Sequence, residues 1–237
     1  MSEEKQVVAE VPEVAAIVEK AKGFWAKFSK PIIYGGSAII LLSAGWIGYK
    51  NFVQKPNEEK AAEMIFPAQQ LFDKMSTQLG FNKDSINLVL NGGGPVQNGV
   101  LKVISKYGST QAGNTAHYIA GACYLYSKDF NNAIKHLKDF STSATQVQAV
   151  AYSLLGDAYS ELKNNDEAWS YYNKAYKTNP KDEFFTPEFL FKAALFAETI
   201  GKTSEAVEFL QRIKSEFPRS NHAYDVDKYL ARLGVVE

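Results

Sequence analysis

One stretch of this chain has no charge, and the rest is patterned at helical spacing. From Ile32 to Tyr49 the sequence reads IIYGGSAIILLSAGWIGY, 18 residues without a charged side chain. As a helix it covers ~27 Å, close to the ~30 Å hydrocarbon core of a bilayer. Tyr34, Trp46 and Tyr49 lie near its ends, where amphipathic rings favour the membrane–water interface. The pattern predicts a transmembrane helix over 31–53. Upstream, Val14, Ile17, Val18, Ala21, Phe24, Trp25 and Phe28 recur at helical intervals and predict a short amphipathic helix opening at Pro12. Downstream there is no period-2 alternation. Ala62, Ile65, Phe66, Leu71, Phe72 and Met75 mark a helix over 58–75 with Pro67 as a kink, and Val100, Leu101, Val103, Ile104 and Tyr107 mark another over 96–107. Between them, Gly80 to Pro95 reads as a glycine-rich loop insertion. Ser220 to Leu233 reads as one last amphipathic helix, with Ala223, Val226, Tyr229, Leu230 and Leu233 inward. The fold class predicted is all-α: one N-terminal transmembrane helix followed by a helical solenoid.

The solenoid is read from a segment that repeats itself. In AYSLLGDAYSELKNNDEAWSYYNKAYKTNP, the face Ala151, Leu154, Leu155, Ala158, Tyr159 and Leu162 is followed by a turn at Asn164, Asn165 and Asp166. The face Ala168, Tyr171, Tyr172, Ala175 and Tyr176 comes next, and Asn179 with Pro180 ends it. A glycine inside a helix costs about 1 kcal/mol against Ala. Gly156 therefore needs a packing reason, and the reading places it opposite Ala168, with Tyr159 and Tyr172 filling the space beside that contact. Gly121, Tyr124, Ala133, Leu137 and Phe140 repeat the pattern upstream, with Gly121 35 residues before Gly156 and Ala133 35 before Ala168. Ala194, Ala197, Ala206, Leu210, Ile213 and Pro218 repeat it downstream, with Ala194 in the place of the glycine. These residues resemble the tetratricopeptide repeat, a 34-residue helix–turn–helix unit. Tyr152, Leu155, Gly156, Tyr159, Ala168, Tyr172, Ala175 and Pro180 fill its eight signature places. The organisation expected is a cytoplasmic tail with its amphipathic segment over 1–30, the span over 31–53 and a degenerate first repeat opened by the insertion over 54–113. Three repeats follow over 114–219, and a capping helix over 220–237.

Charge and chemistry narrow the function. The formal net charge is zero, which argues against nucleic acid as a partner, because duplex binding demands clustered Lys and Arg. A single cysteine, Cys123, excludes a disulfide framework. His117, His136 and His222 are scattered, and His117 falls on a packing position of the first repeat. The LNGGGP segment has no following Gly-Lys-Ser/Thr and no preceding strand, so it is not a phosphate loop. No catalytic, metal or cofactor site is expected, and no small-molecule substrate. Lys20, Lys22, Lys27 and Lys30 before the span set the N-terminus in the cytoplasm and residues 53–237 on the far side of the membrane.

What remains is surface. In tetratricopeptide proteins the first helix of each repeat lines the concave side, which implies a groove of Tyr118, Ala122 and Leu125, then Ser153, Asp157 and Ser160, then Phe191, Leu195 and Glu198. It carries none of the Lys, Asn or Arg that clamp a chaperone's terminal carboxylate. Within the span, Gly36, Gly45 and Gly48 permit close docking on another transmembrane helix. One anchor followed by such an array resembles the YfgM-like family, and YGSTQAGNTAHYIAGACYLYSKDFNNAIKHLKDF is the segment that carries the resemblance best. That resemblance implies an accessory subunit of the SecYEG protein translocon at the bacterial inner membrane, working beside a periplasmic chaperone. Two other readings stand beside it: a scaffold in another envelope assembly, and a hydrolase with a site in the 80–95 insertion.

Overall fold

The computed structural model describes residues 12–235. The start of the predicted tail, 1–11, lies outside the described residues, and so do the side chains of Pro12, Glu13 and Val14, the last of these a member of the predicted apolar stripe. The chain divides into two units, Met1–Pro56 and Asn57–Glu237. Among the described residues there are helices and one isolated antiparallel bridge, Gly93 to Val96, but no strand.

The first unit is dominated by α1 (Pro12–Tyr49), 38 residues long. The amphipathic segment and the span were expected as two elements meeting at Pro31. They are one helix with Pro31 inside it. Proline withdraws a single N–H from the ladder, and the helix-favouring residues on both sides carry the remaining bonds across it. A π-helical turn, Lys50–Gln54, follows. Ile39, Ile40, Leu41, Leu42, Trp46 and Ile47 are all exposed.

The second unit begins on α2 (Lys55–Lys74), which ends in a π turn, Met75–Leu79. Its buried face is Ala61, Ile65, Ala68, Phe72 and Met75, while Ala62 and Phe66 of the expected face point outward. The insertion is not the flexible loop that its glycines suggest. It holds α3 (Lys83–Asn91), capped by Asn82, whose Oδ1 accepts from the Ser85 amide at 2.9 Å. Ile86, Val89 and Leu90, spaced for one helix face, are buried. The glycines are there for contact. A Cβ on Gly99 would meet the Leu90 carbonyl oxygen, and one on Gly92, whose φ is +84°, would sit 2.7 Å from the Gly99 nitrogen. The helix expected from Val96 starts instead at Val100 as α4 (Val100–Tyr107), because Val96 is buried in the bridge to Gly93.

Three helical hairpins follow: α5 (Gln111–Tyr126) with α6 (Phe130–Asp139), α7 (Thr145–Glu161) with α8 (Asn165–Thr178), and α9 (Phe185–Thr199) with α10 (Thr203–Glu216). Their turns are built alike. Lys128, Lys163 and Gly201 take φ of 65°, 59° and 79°, and each turn closes with a pair of backbone bonds, such as Lys163 N–H to Ser160 C=O and Asn164 N–H to Tyr159 C=O. Asp129 and Asn164 then cap α6 and α8. Ala133, Ala168 and Ala206, one per second helix, are buried at 1% exposure or less. The capping helix expected over 220–233 is two pieces, a 3₁₀ turn (Asn221–Tyr224) and α11 (Val226–Arg232). Ser220 caps the turn through the Ala223 amide, and Val226 and Leu230 anchor α11.

Candidate protein-binding face

Each first helix of a hairpin is fixed by what it packs on. Gly156 was expected to face Ala168. Its neighbour is the Tyr172 ring, 2.7 Å from where a Cβ would stand. Gly121 in the first hairpin meets Leu137 in the same way, at 2.5 Å. Tyr159 is buried and stacks on Tyr171 with ring centroids 5.5 Å apart, and Tyr124 stacks on His136 at the same separation. Pro180 and Pro218, expected among the packing residues, are exposed and act by ending helices.

The residues expected to form an open groove sit on the first helices, yet most are engaged by the chain itself. Tyr118 packs on Phe140 and on Phe72 of α2, at centroid distances of 5.2 and 6.2 Å. Burial, with Tyr126 and Asp73 nearby, raises its phenol above the usual range. Ser153 is 3% exposed and accepts a hydrogen bond from Lys192 Nζ at 3.2 Å. Asp157 accepts from the Tyr172 hydroxyl at 2.8 Å and pairs with Lys192 at 2.7 Å. Burial chiefly, then the Asp157 charge, holds the Tyr172 phenol far up. Phe191 stacks on His222 at 4.1 Å and meets Tyr229 edge-on at 4.9 Å, and Glu198 pairs with Arg232. Leu125 and Leu195 remain half-exposed. The face of the first helices is therefore covered at one end by α2 and at the other by the C-terminal pieces. The motif spacing assigns positions along one helix but carries no information on which distant segment folds over them.

Sequence reasoning missed five participants. Lys192, 39 positions from Ser153, ties two repeats together. His222 and Arg232 secure the C-terminal cover. His117 and His136 were read as unrelated, but their Nδ1 atoms are 3.2 Å apart across the first hairpin. The available signal was positional: they hold the places of Tyr152 and Tyr171, which contact each other in the second hairpin. Burial lowers both imidazoles below their ordinary range; for His136 the neighbouring His117 adds to it, and Asp139 opposes it at both. Cys123 is fully buried, which pushes its thiol up to about 12 and leaves it inert. Among the described residues no His, Cys, Asp and Glu gather into a metal-binding group.

Open cavities border this face. One, of about 490 Å³, runs between α2 and the start of α5, lined by Glu58, Phe66, Gln69 and Thr115. There Glu58 accepts from the Gln111 amide at 2.9 Å and caps α5. Another, of about 640 Å³, lies between the start of α9 and the C-terminal turn, lined by Phe184, Pro187, Phe217, Pro218 and Arg219. Phe184 at its rim is 86% exposed.

Family models for the tetratricopeptide repeat match residues 149–182 and 188–220, which are the second and third hairpins. The chain contains a tetratricopeptide-repeat solenoid. Arrays of this kind are scaffolds for protein–protein interaction. Among solved structures, the crystal structure of MamA protein is similar over 73% of this chain and 84% of its own, at 20% identity and a TM-score of 0.48. No curated protein matches the sequence.

Proposed function

We propose that this tetratricopeptide-repeat protein is a scaffold anchored in the bacterial cytoplasmic membrane by α1, with its N-terminus in the cytoplasm and its repeats in the periplasm. In that position it serves as an accessory subunit of a SecYEG-type translocon and a periplasmic chaperone. The observation that carries the anchor is an apolar helix window of which none is buried, followed in the same chain by a repeat array. Exposure of so many large apolar side chains in water is costly, and lipid or another membrane helix relieves it. A Cβ at Gly36, Gly45 or Gly48 meets nothing within 4 Å, so those positions are free to take a neighbouring helix. The link to the translocon rests on resemblance to the YfgM-like family.

The test is co-isolation from membranes after gentle detergent extraction. Translocon subunits should accompany the native chain. Recovery of an outer-membrane assembly, secretion or division complex in their place would reassign the scaffold. Exchanging α1 for an unrelated anchor, or Gly36, Gly45 and Gly48 for Leu, should leave insertion intact and reduce that recovery. Retention at the native level would place recognition in the repeats.

A further inference from the structure

The half of α1 before Pro31 carries an apolar stripe that none of the described residues of its own unit covers. Ile17, Phe24 and Trp25 are 63%, 58% and 55% exposed, and Phe24 stacks toward Phe28 with centroids 4.8 Å apart. At 3.6 residues per turn, Ile17, Ala21, Phe24, Trp25 and Phe28 share one arc. Lys20 and Lys27 then fall on one border of that arc and Lys22 on the other. Between Ala15 and Lys30 four lysines stand against the single carboxylate of Glu19. Lys27 Nζ lies over the Phe28 ring, 5.5 Å from its centroid.

This arrangement selects among occupants. A second copy of the helix would bring lysine borders against lysine borders, with two carboxylates, Glu13 and Glu19, against four lysines in each copy. An anionic headgroup layer offers what the face asks for, acyl chains under the aromatic arc and phosphates beside both lysine rows. We infer that this segment docks on anionic lipid headgroups at the mouth of the span, with Phe24, Trp25 and Phe28 inserted and the lysines on phosphate. Pro31, which withdraws the hydrogen bond to the Lys27 carbonyl, lets the helix bend from the membrane normal into the surface. The inference rests on α1 being a membrane anchor.

The test uses the full chain with Trp46→Phe and Trp169→Phe, leaving Trp25 as the reporter, reconstituted into protein-free vesicles of phosphatidylcholine with or without phosphatidylglycerol. Quenching of Trp25 by headgroup-labelled lipid should be strong with phosphatidylglycerol, weak without it and reduced by salt. Each lysine near an anionic surface favours the docked state roughly fivefold, so replacing Lys20, Lys22 and Lys27 together by Gln should lower it by roughly two orders of magnitude. These three side chains are exposed, so the helix itself is not at risk. Equal quenching in both vesicle types, or none in either, overturns the proposal and leaves a protein partner as the occupant of the stripe. Extraction of the chain from the vesicles by alkaline carbonate is a separate result, which removes the anchor reading beneath it.

Discussion

Gly156 and Tyr172 share one space between two helices, and the hydroxyl of Tyr172 is held by Asp157, which is held in turn by Lys192. The ring has nowhere to go, so Gly156→Leu should destabilise the repeat unit by about 1–3 kcal/mol, read as a lower thermal midpoint. An unchanged midpoint would mean that the ring moves freely. The His117–His136 contact makes a different prediction. Two Nδ1 atoms at 3.2 Å share one proton, and both imidazoles have folded pKa values depressed chiefly by burial. A depressed folded value means that the neutral form belongs to the folded state. Its stabilisation is fully present above the unfolded value of about 6.5 and is lost as pH falls through that value toward the folded one. Urea melts should show stability declining from neutral pH toward about pH 5, before carboxylates titrate. Asp182, held low first by the Phe185 amide, and Glu216, held low by Arg212, lose their contributions only at more acid pH. The double change His117→Tyr and His136→Tyr, which copies the second hairpin, should flatten the decline near pH 6. Persistence of the slope would assign it to other groups.

At the scale of the element, the three hairpin turns perform one task with different residues. Each needs a left-handed position, and only the third gives it to glycine. Lys128 and Lys163 occupy a region that costs a non-glycine residue roughly 1 kcal/mol. Lys163→Gly should therefore raise the stability of the second hairpin by up to about 1 kcal/mol, offset in part by the extra freedom of the unfolded glycine. Gly201→Ala should do the reverse, and a pair of chemical denaturation curves decides it. The turn residues at 164–166 were readable because Asn is both an N-cap and a turn former, and the structure places Asn164 in that role. The φ of Lys163 was not readable, because its type does not demand it. Likewise the Ile86, Val89 and Leu90 spacing of α3 is a helical signal only nine residues long, flanked by glycines that read as loop.

At the scale of the molecule, the second unit holds its own core from Ala61 to Leu230, so a chain starting near Asn57 should give a helical circular dichroism spectrum and melt cooperatively. A broad, non-cooperative loss of signal would mean that the first unit is needed for folding. Within this unit Phe72 on Tyr118, and His222 and Tyr229 on Phe191, cover the ends of the face that the repeats present. The chain by itself determined the all-α class, the positions of the hairpins and the glycines, Gly121 and Gly156, at two of the close contacts. Those follow from periodicity, caps and volume, which act over a few turns of helix. The tertiary structure alone decided that Gly156 opens a space for Tyr172, that two histidines 19 positions apart meet, and that the ends of the face of the first helices are covered. Each of these joins segments whose separation along the chain leaves no local trace, because the contact is selected by packing after the helices have formed.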